Sequence, residues 1–260
     1  MRIKLLNILI LISSIYIIGG CSKQYCGDPF NLEGKSHSAI TPAARPDVEW
    51  WMPRHQDVLD RVAKGGADMI FVGDSITHYF ERYGQDVWNR YYAPRNAVNM
   101  GFSGDRTQHV LWRLENGEID GINPKLAVVM IGTNNNVDNS AEEIADGIKA
   151  ICAKLRCKLP KTKILLLAIF PRGDYEQRKI KDADADMNPM WAKNNRANEI
   201  VSKIADNKML YYLDINDKFV NDQGVLTRDV MPDLLHPREK GYQIWAEAIE
   251  PVVKILMNED

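Results

Sequence analysis

Beyond Val48 the chain alternates short unbroken apolar runs with helix-length amphipathic stretches, and this alternation most narrows what it can fold into. The runs cover residues 69–73, 97–100, 126–131, 164–169 and 209–213. Strands that are apolar throughout are covered on both faces, the usual state of a parallel sheet. Residues 77–91, 107–116, 141–155 and 191–205 read as helices between them. Near the end, Tyr242, Trp245, Ala248, Ile249, Val252 and Leu256 recur at helical spacing, with Pro251 expected to kink or restart that helix. The pattern predicts a three-layer α/β/α domain around a mostly parallel sheet, with no internal repeat. Ligands of such sheets sit beyond the carboxyl ends of the strands, so the chemistry is sought in the residues that follow each one.

After the first run comes Gly73-Asp74-Ser75-Ile76-Thr77. A serine there opens a helix whose first amides are unpaired, a placement that suits a nucleophile. Asp74 or Ser75 acting only as a helix cap is the alternative. After the second run, Gly101-Phe102-Ser103-Gly104-Asp105 reads either as a loop exposing its amides or as an ordinary glycine turn. After the third, Gly132-Thr133-Asn134-Asn135-Asn136 is loop chemistry that can also aim one amide at an oxyanion. Asp233 stands three residues before His236, close enough to orient its ring. Of the other histidines, His37 lies in the presumed tether and His55 precedes the first strand. His78 follows Ser75 on one helix, with its ring expected to point away from the crevice, and His109 sits in an amphipathic helix. Together the blocks supply a nucleophile, a base, an orienting acid and oxyanion donors, the parts of acyl-transfer chemistry.

These blocks resemble the SGNH, or GDSL, hydrolases from about Met69 to the C-terminus. The stretch NMGFSGDRTQHVLWRLENG (residues 99–117), Gly132-Thr133-Asn134-Asn135 and Pro171-Arg172-Gly173 resemble the platelet-activating-factor acetylhydrolase branch. The resemblance implies a flavodoxin-like fold with five parallel strands. It implies Ser75, Asp233 and His236 as the catalytic triad, with the N–H groups of Ser75 and Gly104 and the Asn134 amide as the oxyanion hole. No metal or organic cofactor belongs to that chemistry, and the related subunits form dimers, so a homodimer is an expectation for this chain. The expected activity is a serine esterase removing short acyl groups, acetyl above all, from carbohydrate or other small esters. The alternatives are a lysophospholipid or ether-lipid esterase at the membrane, and a non-catalytic lipid-tethered binding module that inherited the fold. Trp50, Trp51, Trp88 and Trp191 are candidates for stacking on sugar rings, with packing as the alternative for each.

The N-terminus carries a different message. Arg2 and Lys4 precede an apolar run over residues 5–18, then Gly19, Gly20 and Cys21. A basic start, a short apolar stretch and small residues describe an export signal, and the run is shorter than the about 20 residues of a spanning helix. An uncleaved helix held in the inner membrane is the alternative. Ile18-Gly19-Gly20-Cys21 resembles the lipobox of bacterial lipoproteins, which implies lipidation at Cys21 and anchoring to a membrane outside the cytoplasm. The expected organisation is a lipoprotein signal peptide over residues 1–20, a flexible tether over 21–46 and the hydrolase domain over 47–260. Gly34-Lys35-Ser36 in the tether lacks the leading glycine and strand of a phosphate loop. Cys152 and Cys157 are read as thiols, since no metal or redox spacing surrounds them. With 33 basic against 35 acidic side chains, the formal charge of −2 argues against nucleic acid as a partner. A segment over residues 174–189 holds many charges and is read either as a wall of the substrate pocket or as a solvated loop.

Overall fold

The computed structural model describes residues 27–260. The expected signal peptide, the lipidation candidate Cys21 and the first part of the expected tether lie outside the described residues. Five parallel strands, β1 (Met69–Gly73), β2 (Ala97–Gly101), β3 (Leu126–Met130), β4 (Lys163–Leu167) and β5 (Leu210–Leu213), form one sheet in the order β2-β1-β3-β4-β5. They match the apolar runs to within two residues at each end. Their side chains alternate between two cores: Ile70, Val72, Ala127 and Val129 enter one, and Met69, Phe71, Leu126 and Val128 the other. The first core is closed by α1 (Trp51–Gly65), α5 (Thr107–Glu115), α6 (Ala141–Lys158) and α8 (Pro189–Val201). The second is closed by α2 (Ser75–His78), α3 (Phe80–Tyr83), α4 (Gln85–Tyr91) and α9 (Glu239–Met257). A short α7 (Tyr175–Lys179) adds no buried residue to either core. The chain leaves β1 toward β2 and then crosses back to β3, so the switch in winding falls between β1 and β3, the place beyond whose carboxyl ends ligands of such sheets sit.

Several elements depart from the sequence reading. The helix expected over residues 77–91 is three short pieces divided at Tyr79 and Gly84, the latter a poor helix former. Helix α1 was not expected. Its buried stripe of Trp51, His55, Val58 and Val62 is nonetheless helical in period, and Pro53 falls in the first turn, where its missing N–H costs nothing. Helix α9 runs unbroken through Pro251, held on both sides by Trp245, Ile249, Val253 and Leu256 in the core.

The tether expected over residues 21–46 is, in its described part, a strap laid across the domain. Ala39 is fully buried, and its carbonyl accepts from Thr107 Oγ1 at 2.8 Å. The Ala43 N–H donates to the Gln108 carbonyl, and Lys35 pairs with Asp146 at 2.6 Å. Small polar composition suggested flexibility, but these residues pair with a hydroxyl and a carbonyl of α5 and a carboxylate of α6. Cys152 is a buried thiol, pushed up to about 12 by that burial, whereas Cys157 is disulfide-bonded, correcting the thiol read there.

Candidate active site

Ser75 begins α2 directly beyond β1, and its Oγ lies 2.9 Å from Nε2 of His236. The other ring nitrogen of His236, Nδ1, is 2.6 Å from Oδ2 of Asp233. The cap of α2 is Asp74, whose Oδ1 accepts from the Ile76 N–H at 2.9 Å, so the two readings of this turn fall on two different residues. Asp233 and His236 sit in a tight loop before α9. Oδ1 of Asp233 accepts the backbone N–H groups of Leu235 at 3.2 Å and His236 at 2.7 Å. Leu234 takes φ 55°, a left-handed conformation that costs a bulky residue on the order of 1 kcal/mol or more. It is held there by two backbone bonds of 2.7 Å, its N–H to the Met231 carbonyl and its carbonyl from the Gly173 N–H.

Burial raises the Asp233 carboxyl, but the hydrogen bond and charge of His236 outweigh it and hold the group at about 2. Asp74, fully buried, goes the other way. Desolvation pushes it up to about 7 against the Ile76 N–H, and its Oδ2 has no hydrogen-bond partner.

The loop after β2 lies against α2. Gly101 ends the strand so close to α2 that a Cβ there would stand 2.3 Å from the His78 backbone nitrogen. The His78 ring is turned toward this loop. Its Nδ1 accepts the Ser103 N–H at 3.2 Å, and burial, with Arg54 and Arg113 adding to it, lowers the ring to about 4 and keeps it a neutral acceptor. Gly104 takes φ 77°, open to glycine and strained for other residues. Asn134 lies in the turn after β3 and donates from Nδ2 to the Asp105 carbonyl at 2.9 Å, linking the two loops. Asp105 is fully buried. Its Oδ1 accepts from Trp51 Nε1 at 2.8 Å and from Arg45 Nη1 at 3.1 Å, and its Oδ2 accepts from Arg113 Nε at 2.9 Å. Arg113, also fully buried, reaches on to Glu118, which meets Nδ1 of His55 at 2.9 Å.

Among the five histidines, His236 alone reaches Ser75. His109 Nδ1 accepts the Arg106 N–H at the start of α5. A serine hydroxyl, an imidazole and a carboxylate in one hydrogen-bonded chain have the parts for nucleophilic acyl transfer.

The sequence matches the GDSL-like lipase/acylhydrolase family over residues 71–244, a span that runs from β1 into α9 and contains Ser75, Asp233 and His236. The chain belongs to this family. It is a carboxylic ester hydrolase in the sense of that family. Platelet-activating factor acetylhydrolase IB subunit alpha2 of Rattus norvegicus is 35% identical over 230 residues, 86% of this chain and 93% of the relative. The human subunit alpha1 is 32% identical over 234 residues, 88% of this chain and 95% of the relative. Two solved structures share the fold at TM-score 0.55: an acetylxylan esterase of Geobacillus stearothermophilus and a carbohydrate acetylesterase of Sinorhizobium meliloti. The first is 18% identical and covers 75% of this chain and 95% of its own. The second is 17% identical and covers 73% and 99%.

Within this GDSL hydrolase, sequence reasoning missed the supports of the site. Arg45, Trp51 and Arg113 converge on Asp105, although Arg45 and Trp51 stand more than 50 positions from it. Arg178, from the charged segment over residues 174–189, donates from Nε to the Asp233 carbonyl at 2.9 Å, so that segment abuts the Asp233 loop. An arginine amid charges of both signs carries no mark of this in the sequence. Trp51, Trp88 and Trp191 are buried, whereas Trp50 is 40% exposed and rests against His78 and Phe102, beside the loop carrying Gly104.

Proposed function

We propose that this esterase cleaves acetyl esters of carbohydrates by a two-step mechanism at Ser75. His236 Nε2 takes the hydroxyl proton as Oγ bonds to the ester carbonyl carbon. The carbonyl oxygen gains the negative charge, facing the N–H groups of Ser75 and Gly104 and the Asn134 amide. The carbon–alkoxy bond then breaks, the alcohol leaves with the proton from His236, and water repeats the sequence on the acyl-enzyme to release acetate. Asp233 holds the imidazole in one tautomer and stabilises its cation. The observation that carries the reading is the continuous chain from Ser75 Oγ to His236 to Asp233, at 2.9 and 2.6 Å.

Two observations support the substrate class. The names of the relatives and of the two structural neighbours share an acetyl group as the acyl part, while their alcohol parts differ. Trp50 offers an exposed ring beside the Gly104 loop, the kind of apolar face on which a sugar stacks. The test is a panel: acetylated xylo-oligosaccharides, an acetyl ether phospholipid and long-chain p-nitrophenyl esters. A preference for the sugar esters, lost by roughly a millionfold in kcat with Ser75→Ala, is the expected result. Preference for the ether lipid overturns the carbohydrate reading. An undiminished Ser75→Ala overturns the mechanism.

The reading extends to location. The export signal and the Ile18-Gly19-Gly20-Cys21 pattern suit a lipid-anchored protein outside the cytoplasm, and a disulfide at Cys157 suits an oxidising compartment. Metabolic labelling with an alkyne fatty acid should tag the wild type in the membrane fraction and leave Cys21→Ala unlabelled.

A further inference from the structure

The Ser103 carbonyl and the Gly104 N–H are the two ends of one planar trans peptide. Whatever holds that oxygen also aims that hydrogen. Arg45, from the strap ahead of α1, donates from Nη1 to the Ser103 oxygen at 2.8 Å. The same nitrogen is anchored on Oδ1 of Asp105 at 3.1 Å, and Asp105 is fixed in turn by Trp51 and Arg113. The guanidinium lies 3.2 Å from the point where a Cβ on Gly104 would stand, so it covers the back of the loop. A cationic donor on a peptide oxygen also draws electron density from the N–H of the same peptide and strengthens it as a donor.

We infer that Arg45 is a positioning residue for ester hydrolysis, fixing and polarising the Ser103–Gly104 peptide so that the Gly104 N–H meets the oxyanion. The inference rests on the reading of Gly104 as an oxyanion donor. It gives the strap a role in the reaction. A planar guanidinium suits a site that must serve a carbonyl and a carboxylate at once, which a lysine meets only as a point charge.

Kinetics on p-nitrophenyl acetate with the full chain test it. Arg45→Ala should lower kcat about 10- to 100-fold, less than outright loss of an oxyanion donor, and leave KM within about twofold. Arg45→Lys should recover part of the loss, as should tens of millimolar guanidinium ion added to Arg45→Ala. Lys35→Ala, which frees another strap anchor on Asp146, should keep kcat and show no guanidinium response. Should Arg45→Ala fail to fold, Arg45→Met keeps the alkyl stem and faces the same comparison. Wild-type kcat in these Arg45 variants overturns the inference, as does an equal loss in Lys35→Ala, or a loss that neither lysine nor guanidinium relieves. Ser75→Ala separates the two layers: if it stays active, the reading of the site itself has failed, and if it is dead, the Arg45 result stands on its own.

Discussion

Asp233 accepts three close N–H groups at one loop, from the His236 ring, the His236 backbone and the Leu235 backbone. With its carboxyl held at about 2, it stays ionised throughout the range in which an esterase is assayed. Asp233→Asn removes the charge and the tautomer control but leaves Ser75 and His236, so kcat should fall about 10²- to 10⁴-fold, less than for Ser75→Ala. Since its folded pKa is depressed, Asp233 stabilises the fold above its unfolded value near 3.8, and that contribution is lost as pH falls toward 2. Asp74 has the opposite sign. Between about pH 4 and 7 the unfolded chain has released a proton that the folded chain still holds, so stability should decline as pH rises through that window, by up to roughly 4 kcal/mol. Asp74→Asn keeps the cap on Ile76 and should flatten that slope, as read by urea unfolding at pH 5 and pH 8. The three residues of the Ser75–His236–Asp233 hydrogen-bonded chain were legible because Ser75 stands just after a strand and Asp233 three places before His236. The residues around Asp105 were not, because a buried charge pair and a solvated one look alike in a sequence.

Helix α5 does more than cover the sheet. Its Arg113 is sealed between Asp105 and Glu118 and lies 3.9 Å over the Phe102 ring, tying the Gly104 loop to the body of the helix layer. Removing one member leaves carboxylates buried without their cation, so Arg113→Ala should cost about 3–5 kcal/mol, measurable as a lower urea midpoint. Strands were the most legible elements, since an unbroken apolar run of five has few other places to go. Helix α1 was harder to read because two of its four buried positions, Trp51 and His55, carry polar atoms that face Asp105 and Glu118. The strap was misread for a related reason. Its anchors are backbone groups of Ala39 and Ala43 and the side chains of Lys35 and Arg45, which leave no apolar period behind.

Across the whole molecule, one sheet collects residues from distant parts of the chain, and the disulfide at Cys157 adds a covalent constraint. A disulfide is typically worth about 2–4 kcal/mol, so dithiothreitol should lower Tm by roughly 5–10 °C while the buried Cys152 stays unreactive to a thiol reagent in the folded state. An unchanged Tm would show that the bond carries little of the stability. A mostly parallel sheet was legible from the alternation of runs, but the side of β1 on which each later strand falls was not, because no local pattern records it. Ser75 lies near the first strand and His236 just before the last helix, 161 positions later. A nascent or truncated chain that lacks the Asp233 loop thus carries Ser75 without the imidazole it meets in the folded protein, and that contact forms only once the last part of the fold has been made and docked.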